Sequence, residues 1–176
     1  MSDEVLVKGS DIQKRLKEIA QEIDKNYNEI TLMVVLTGGI YTAIDLSKYI
    51  TIPCKLEFIK VSSYGHNEFS NGVVEMKYCS STKGALLGNV LIIDDICDSG
   101  RTLKTLVEYI KNNYFYTSLK TLTLLDKPSR REIDIKPNYI GFTIEDKFVY
   151  GFGLDLNDYA RNIQDILVKQ GEESVF

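Results

Sequence analysis

Residues 90–103, which read VLIIDDICDSGRTL, decide the fold. The segment begins as a short apolar run, of the kind found in strands that are covered on both faces of a sheet. The acids Asp94 and Asp95 follow directly, and a stretch rich in glycine and hydroxyl groups then leads into a helical pattern. A strand, a polar turn and a helix in this order indicate a parallel α/β sheet, which binds ligands beyond the carboxyl ends of its strands.

The rest of the chain repeats this alternation of apolar strands and amphipathic helices. It predicts further strands at residues 31–36, 54–61, 119–125 and 139–144, and helices at 40–49, 102–112 and 158–168. The polar, glycine-containing residues 62–74 predict a mobile loop or hairpin. The expected fold class is therefore α/β, with a mostly parallel sheet flanked by helices.

The first helix has the clearest pattern. Ser10 and Gln13 have the spacing of a capping box, which would place the start of the helix there. Apolar residues then recur at helical spacing and predict one buried face, formed by Ile12, Leu16, Ile19, Ala20 and Ile23.

Composition narrows the class of protein. The chain has 176 residues, 44% hydrophobic and 26% charged, which fits one globular domain over residues 1–176. The net charge of -4 argues against nucleic acid as a partner, and no apolar run is long enough to span a membrane. One histidine and three widely spaced cysteines do not predict a zinc site. Reduced thiols and the lack of a signal peptide indicate the cytoplasm.

The acidic residues and the turn after them suggest a ligand. Adjacent carboxylates repel each other and are tolerated where a cation or ligand hydroxyls neutralise them. The Ser-Gly-Arg-Thr sequence at 99–102 offers N–H groups and hydroxyls at a helix start, which suits a phosphate monoester. A sugar phosphate has both features. The alternative, a solvated turn with Asp98 as a helix cap, is weaker because three carboxylates adjoin this loop.

Residues 90–103 resemble the phosphoribosyl-pyrophosphate signature of type I phosphoribosyltransferases. Two downstream segments, LDKPSRR at 125–131 and YIGFTIEDKFVYGFGLDLNDYAR at 139–161, resemble the purine-binding region of the hypoxanthine-guanine phosphoribosyltransferases. The Ser-Ser-Tyr-Gly sequence at 62–65 matches the flexible loop of that family. The resemblance implies the type I phosphoribosyltransferase fold, with a small hood from about residues 127–160 and the N-terminal residues.

The resemblance implies a magnesium-dependent transfer of the 5-phosphoribosyl group from phosphoribosyl pyrophosphate to N9 of hypoxanthine or guanine. Asp94 and Asp95 would hold the ribose hydroxyls and Mg²⁺, and Gly38 and Gly39 would approach the pyrophosphate. The 5-phosphate would be bound by Ser99, Gly100, Arg101 and Thr102. The family also implies a homodimer or homotetramer that acts on small-molecule substrates.

The remaining roles concern the purine and the leaving group. Asp98 would contact N7 and act as the general base or acid, and Lys127 would donate to O6. The base would stack on Phe148 and meet the Val149 backbone at its edge. Tyr64 would belong to the closing loop. At the pyrophosphate side the resemblance implies Asp155, as a ligand of a second magnesium, and Arg161.

Lys127 carries the expected specificity. An ammonium group only donates hydrogen bonds, so it favours an oxo group over the amino group of adenine. A donor left facing another donor is costly, so one residue can set a large ratio between substrates. Without the resemblance, Lys127 would be interpreted as a surface lysine before a turn.

The sequence departs from the family pattern at two positions. Thr37 stands where many members have a basic residue before the glycines, which removes a side-chain charge from the pyrophosphate site but leaves the backbone amides. Asp94 replaces the glutamate often found first in the acidic pair, which shortens its reach and keeps its charge.

Two other functions remain as hypotheses. A regulatory protein of the same fold could sense the nucleotide and bind RNA or DNA, but it would need a basic face. A phospho-acceptor receiver domain also has paired aspartates at strand ends, but its acidic pair should lie near the N-terminus, and here it lies in the middle of the chain.

Overall fold

The computed structural model describes residues 3–63 and 74–170. In chain order, its elements are β1 (Glu4–Val7), α1 (Gly9–Asn26), β2 (Ile30–Leu36), α2 (Gly39–Ser47), β3 (Cys54–Ser63), β4 (Val74–Cys79), β5 (Asn89–Cys97), α3 (Arg101–Asn113), β6 (Ser118–Asp126), a 3₁₀ turn (Pro128–Arg130), β7 (Tyr139–Thr143), β8 (Val149–Tyr150) and β9 (Ile166–Val168). No helix within these residues is both long and apolar enough to cross a membrane.

The main sheet has six strands in the order β4-β3-β2-β5-β6-β7. All neighbours pair in parallel except β3 and β4, which are antiparallel. The predicted mostly parallel α/β sheet is therefore confirmed. The expected loop or hairpin begins and ends in β3 and β4, and its residues 64–73 lie outside the described part of the chain.

The central strand β2 shows why the sheet is covered on both faces. Successive side chains of a strand point to opposite sides. Leu32 and Val34 pack in the cluster that contains α1 and α2, while Met33 and Val35 pack in the cluster that contains α3. All four are at most 4% exposed. Full burial of such a side chain contributes roughly 1.5–3 kcal/mol, so these two clusters hold the sheet and its helices together.

Helix α1 confirms the predicted face but not the predicted cap. Its buried residues are those expected, Ile12, Leu16, Ile19, Ala20 and Ile23. The helix begins at Gly9, with Lys8 at the cap position and no side-chain cap. Ser10 lies inside the helix, and the Gln13 amide donates to Asp45 Oδ2 at 2.5 Å. The backbone N–H of Gly9 donates to Asp165 Oδ1 at 2.7 Å, so a distant residue supplies a side-chain hydrogen bond at the start of the helix in place of the capping box.

The predicted closing helix at 158–168 is wrong. Residues 157–160 form turns, in which Asn157, Asp158 and Ala160 have φ values of 54°, 66° and 66°. These left-handed conformations interrupt any helix. The chain then forms β9, which pairs with β1 from the other end of the sequence and with β8. The result is a separate three-stranded antiparallel sheet, in the order β1-β9-β8.

This small sheet lies next to the carboxyl edge of the main sheet. Gly153, three residues after β8, packs so closely on the start of α2 that a β-carbon there would lie 2.5 Å from the Gly38 carbonyl oxygen. Gly153 also has a φ of +95°, which favours glycine. The segment that follows β8 is thereby placed over the edge where the strands end.

Candidate active site

A cavity of about 310 Å³ opens at the carboxyl edge of the main sheet. It is lined by the junction of β2 and α2, the junction of β5 and α3, the segment after β8, and Val61 of β3. These segments bring together many of the predicted site residues, namely Gly38, Asp94, Asp95, Asp98, Ser99, Gly100, Thr102, Asp155 and Arg161. The position agrees with the rule for ligand sites in parallel α/β sheets.

The acidic pair lies inside β5 rather than after it, because β5 continues to Cys97. The Asp95 N–H donates to Asp94 Oδ1 at 3.0 Å, and the Ile96 N–H donates to Asp95 Oδ1 at 2.7 Å. Burial, together with the Asp95 charge, holds the pKa of Asp94 well above its ordinary value. Burial also raises the pKa of Asp95, which Arg161 partly opposes. Two crowded carboxyls of this kind favour a bound cation or hydroxyl donors.

Gly38 and Gly39 are required by close backbone contacts. A β-carbon on Gly38 would overlap Asp95 Oδ2, and one on Gly39 would lie 2.5 Å from the Ile93 carbonyl oxygen. The junction of β2 and α2 therefore presents bare backbone next to the acidic pair. The peptide bond between Leu36 and Thr37, immediately before these glycines, is cis.

The loop at 99–102 leads into α3 at the same edge. Gly100 is the cap residue and has a φ of +86°, and a β-carbon there would lie 2.7 Å from the Ile135 side chain. The Arg101 N–H is 3.3 Å from Ser99 Oγ. The Arg101 guanidinium pairs with Glu132 at 2.6 Å, so this residue contributes its backbone to the loop. A helix start of this form presents N–H groups to an anion.

Lys127 is buried, although lysine is usually exposed. It is 7% exposed, and its ammonium group donates to the Lys147 carbonyl oxygen at 2.7 Å. Its backbone N–H donates to the Cys97 carbonyl oxygen at 3.0 Å, which ties the end of β6 to the end of β5. The interpretation of Lys127 as a surface residue is therefore wrong, and Lys127 lies on the same side of the molecule as Asp98.

The remaining described site residues lie beside β8, in it or in the segment after it, and of these Asp155 and Arg161 line the cavity. Phe148 is 58% exposed, whereas Val149 is buried in β8. Arg161 donates to the Gly153 carbonyl oxygen at 2.6 Å and pairs with Asp155 Oδ1 at 2.9 Å. Asp155 Oδ2 accepts the Asp158 N–H at 3.0 Å, so Asp155 caps a turn and not a helix. Tyr64 lies outside the described residues.

Cys97 lines the cavity and is nearly fully buried. Burial is the main cause that raises the pKa of its thiol, to about 11. Because the thiolate is the reactive form of cysteine, Cys97 is inert at neutral pH and acts as a small packed side chain.

Sequence reasoning missed the arginines of the LDKPSRR segment. Arg131 is largely buried, donates to the carbonyl oxygens of Cys97 and Asp98, and forms an ion pair with Asp126. It therefore fixes the backbone that carries Asp98. Arg130 forms an ion pair with the Asp98 side chain. The sequence shows only that two arginines follow Lys127 closely. It does not show which carboxylate each arginine would contact.

Comparisons with known proteins agree with this geometry. A model of the phosphoribosyl transferase domain family matches residues 4–157. The chain is 39% identical over 164 residues to the hypoxanthine-guanine phosphoribosyltransferase of Bacillus subtilis, covering 92% of this chain and 89% of that protein. It is 37% identical over 173 residues to the hypoxanthine-guanine phosphoribosyltransferase of Lactococcus lactis, covering 97% and 92%.

Solved structures show the same relationship. The crystal structure of a hypoxanthine-guanine phosphoribosyltransferase from Bacillus anthracis has a TM-score of 0.87 and 33% identity, covering 97% of this chain and all of that one. A hypoxanthine phosphoribosyltransferase from Staphylococcus aureus has a TM-score of 0.85 and 36% identity, covering 95% and 91%.

The chain therefore belongs to the phosphoribosyltransferase family, and within it to the hypoxanthine-guanine phosphoribosyltransferases. The fold predicted from the resemblance is confirmed, and the receiver-domain hypothesis is wrong.

Proposed function

We propose that this enzyme transfers the 5-phosphoribosyl group from phosphoribosyl pyrophosphate to N9 of hypoxanthine or guanine, and releases pyrophosphate. One observation carries the assignment to this site. The acidic pair, the phosphate loop and the buried Lys127 meet at one edge of the sheet, where β5 and β6 end side by side. These are the groups needed for a ribose, a phosphate and an oxo-bearing base.

The sugar phosphate would occupy the cavity between the loop at 99–102 and the glycines of α2. The 5-phosphate would accept hydrogen bonds from the N–H groups and hydroxyls of Ser99, Gly100, Arg101 and Thr102. The ribose hydroxyls would face Asp94 and Asp95. The pyrophosphate would approach the bare backbone of Gly38 and Gly39, and Arg161 lines the same cavity. Its departure leaves positive charge on the anomeric carbon, as in glycoside chemistry.

The purine would lie between Asp98 and Lys127 and stack on the exposed ring of Phe148. Asp98 would accept or return the ring proton, an effect worth roughly 10²–10⁴-fold in rate. The Lys127 ammonium uses one of its three hydrogens to donate to the Lys147 carbonyl oxygen, and its other hydrogens would be available to donate to O6. Val149 would present its backbone to the edge of the base.

Magnesium fits the donor set of this site. Asp94 and Asp95 supply hard carboxylate oxygens, whereas no group of three or more His, Cys, Asp or Glu among the described residues could hold a metal by itself. Mg²⁺ commonly uses one or two carboxylates together with phosphates of the substrate. When bound, the ion would offset the charge of the pyrophosphate. Asp155 would bind a second magnesium ion only after its ion pair with Arg161 is broken.

Three broader features belong to the same proposal. The segment from about residue 127 to 160, together with the N-terminal residues, would form the hood over the purine, within a single domain of residues 1–176. Tyr64 would belong to a loop that closes over the bound substrates. The enzyme would act in the cytoplasm as a homodimer or homotetramer, with small-molecule substrates and neither nucleic acid nor membrane as a partner.

A four-base assay tests this function. Purified protein with Mg²⁺ and phosphoribosyl pyrophosphate is given hypoxanthine, guanine, xanthine or adenine, and nucleotide formation is followed. We expect turnover with hypoxanthine or guanine and none above background with adenine. The amino group of adenine is itself a hydrogen-bond donor, and it would face the donating ammonium group of Lys127. Turnover with adenine alone would contradict both the function and the role of Lys127.

A further inference from the structure

The segment after β6 places two cations side by side. Pro128–Arg130 forms a 3₁₀ turn, and the Arg130 N–H donates to the Lys127 carbonyl oxygen at 3.1 Å. Lys127 is the cap residue of this turn, and Lys127 Nζ and Arg130 Nη1 both lie within ion-pair distance of the Asp146 carboxylate. Lys127 and Arg130 therefore face the same side of the turn, where the polar end of β5 lies.

Arg130 joins two carboxylates at this place. Its Nε is 3.0 Å from Asp98 Oδ1, and its Nη1 donates to Asp146 Oδ2 at 3.2 Å. The second oxygen of Asp146 is 3.8 Å from Lys127 Nζ. The four side chains form a row of alternating charge, in the order Asp98, Arg130, Asp146 and Lys127. The two carboxylates raise the pKa of the Arg130 guanidinium, which therefore stays charged.

The two ends of this row are the residues assigned to one edge of the purine, which carries N7 and O6. We propose that Arg130 is a positioning residue for base recognition, which holds the Asp98 carboxylate and, through Asp146, the Lys127 ammonium at a fixed separation. The inference rests on the proposed function, because it requires the base to lie between Asp98 and Lys127. Arg130 acts through these neighbours and does not itself touch the reacting atoms.

The chemistry of arginine suits this task. Its planar guanidinium can contact two carboxylates from different nitrogens at the same time, whereas the lysine ammonium is a compact point charge on a flexible stem. Without Arg130, the Asp98 carboxylate loses its ion-pair partner at 3.0 Å. Its Oδ1 has no hydrogen bond among the described residues, and Arg131 holds only the Asp98 backbone. Among the described residues, Asp146 would then keep only its ion pair with Lys127, and it would draw that ammonium away from O6.

Steady-state kinetics of Arg130→Ala and Arg130→Lys test the proposal, with hypoxanthine and phosphoribosyl pyrophosphate varied separately. We expect Arg130→Ala to lower kcat/KM for hypoxanthine by about tenfold to 100-fold, as a small misplacement of reacting groups does. The KM for phosphoribosyl pyrophosphate should stay within about twofold, because Arg130 does not line the cavity assigned to this substrate. Arg130→Lys should recover part of the loss.

Arg15→Ala is the matched control, because Arg15 also pairs with a carboxylate at 3.2 Å but lies on α1, outside the cavity. Asp146→Asn completes a double-mutant cycle. If the row acts as a unit, the fold-loss of kcat/KM in the double variant should be smaller than the product of the two single fold-losses, which is the result expected for additive free energies. Purely additive losses would overturn the proposal.

Two further outcomes would also overturn it. Arg130→Ala could leave kcat/KM for hypoxanthine within twofold of the wild type, or it could weaken both substrates equally and lower Tm, which indicates a structural role. Failure of the proposed function is distinguishable from these outcomes, because the wild-type protein itself would then make no nucleotide from any of the four bases.

Discussion

Single residues at the carboxyl edge are constrained by distances that leave no room for a methyl group. A β-carbon on Gly38 would overlap the Asp95 carboxylate. Because Asp95 is itself held by the Ile96 N–H, neither residue can move without disturbing the other. The part of the site assigned to pyrophosphate therefore depends on the lack of a side chain at Gly38 as much as on the acidic pair.

Gly38→Ala should weaken the binding of phosphoribosyl pyrophosphate. The new methyl group displaces Asp95 or the start of α2, and we expect KM for this substrate to rise about tenfold or more, in line with the cost of small displacements in a site. Steady-state kinetics measure the change. Gly84→Ala is the control, because its φ of +82° strains alanine but nothing lies near its β-carbon. An unchanged KM for Gly38→Ala would contradict the contact.

Asp98→Asn should reduce turnover much more than binding. The amide keeps the shape of the side chain but cannot act as the proton acceptor, so kcat should fall roughly 10²–10⁴-fold with little change in KM for hypoxanthine. Asp134→Asn, an exposed carboxylate outside the cavity, should change neither parameter. A normal turnover number in Asp98→Asn would remove the proton-transfer role from this residue.

Whether the role of a single site residue can be predicted depends on whether its partners are close to it in the sequence. The acidic pair and the loop at 99–102 could be predicted because strand, acids and loop are contiguous in sequence. The roles of Arg130 and Arg131 could not, because their partners at Cys97 and Asp98 are brought near by the pairing of β5 with β6. The charge row of the LDKPSRR segment exists only in three dimensions.

At the scale of elements, the spacing of apolar residues predicted only those features that depend on residues close together in the sequence. The buried face of α1 follows from the spacing of its apolar residues. The end of β5 does not follow from such spacing, because pairing with β6 continues the strand through Asp94 and Asp95 as far as Cys97. The closing helix failed for the same reason: β9 is fixed by pairing with β1, more than 150 residues earlier, and not by the residues around it.

The β3–β4 pair contains a buried carboxylate that makes stability depend on pH. Glu57 in β3 pairs with Lys55 at 2.5 Å and accepts a hydrogen bond from Ser80 Oγ. Burial alone would raise its pKa, but these partners outweigh burial and lower the pKa below its ordinary value of 4.5. A lowered pKa means that the contribution is complete above about pH 4.5 and is lost as pH falls through the folded-state pKa.

Glu57→Gln should therefore destabilise the protein by about 1 kcal/mol near pH 7, since hydrogen bonds to a charged group are lost or weakened. The difference from the wild type should shrink as pH falls below about 4.5. Urea unfolding at several pH values measures it. Glu108→Gln removes an exposed pair with Lys104 at 4.0 Å and should change stability by less than about 0.5 kcal/mol. A difference for Glu57→Gln that grows at acidic pH would contradict the assignment.

At the scale of the whole molecule, two sheets of unequal size meet at the site. The larger supplies the acids and the phosphate loop, and the segment after β8 in the smaller adds Asp155 and Arg161 to the same cavity. The contact of Gly153 with the Gly38 carbonyl joins the two. A ligand that bridges these walls binds only the folded chain, and it should therefore stabilise the whole protein.

Thermal unfolding tests this linkage without measuring turnover. Phosphoribosyl pyrophosphate with Mg²⁺ at about 100 times its Kd should add about 2.7 kcal/mol. At about 2–4 °C per kcal/mol for a chain of this size, Tm should rise by roughly 5–10 °C. A chelator should abolish most of this rise if the ion bridges substrate and acids. Asp95→Asn, compared with its own ligand-free Tm, should show little rise, whereas Asp134→Asn should behave as the wild type. An equal rise in Asp95→Asn, or an unchanged rise with the chelator present, would mean that the substrate does not bind at the acidic pair.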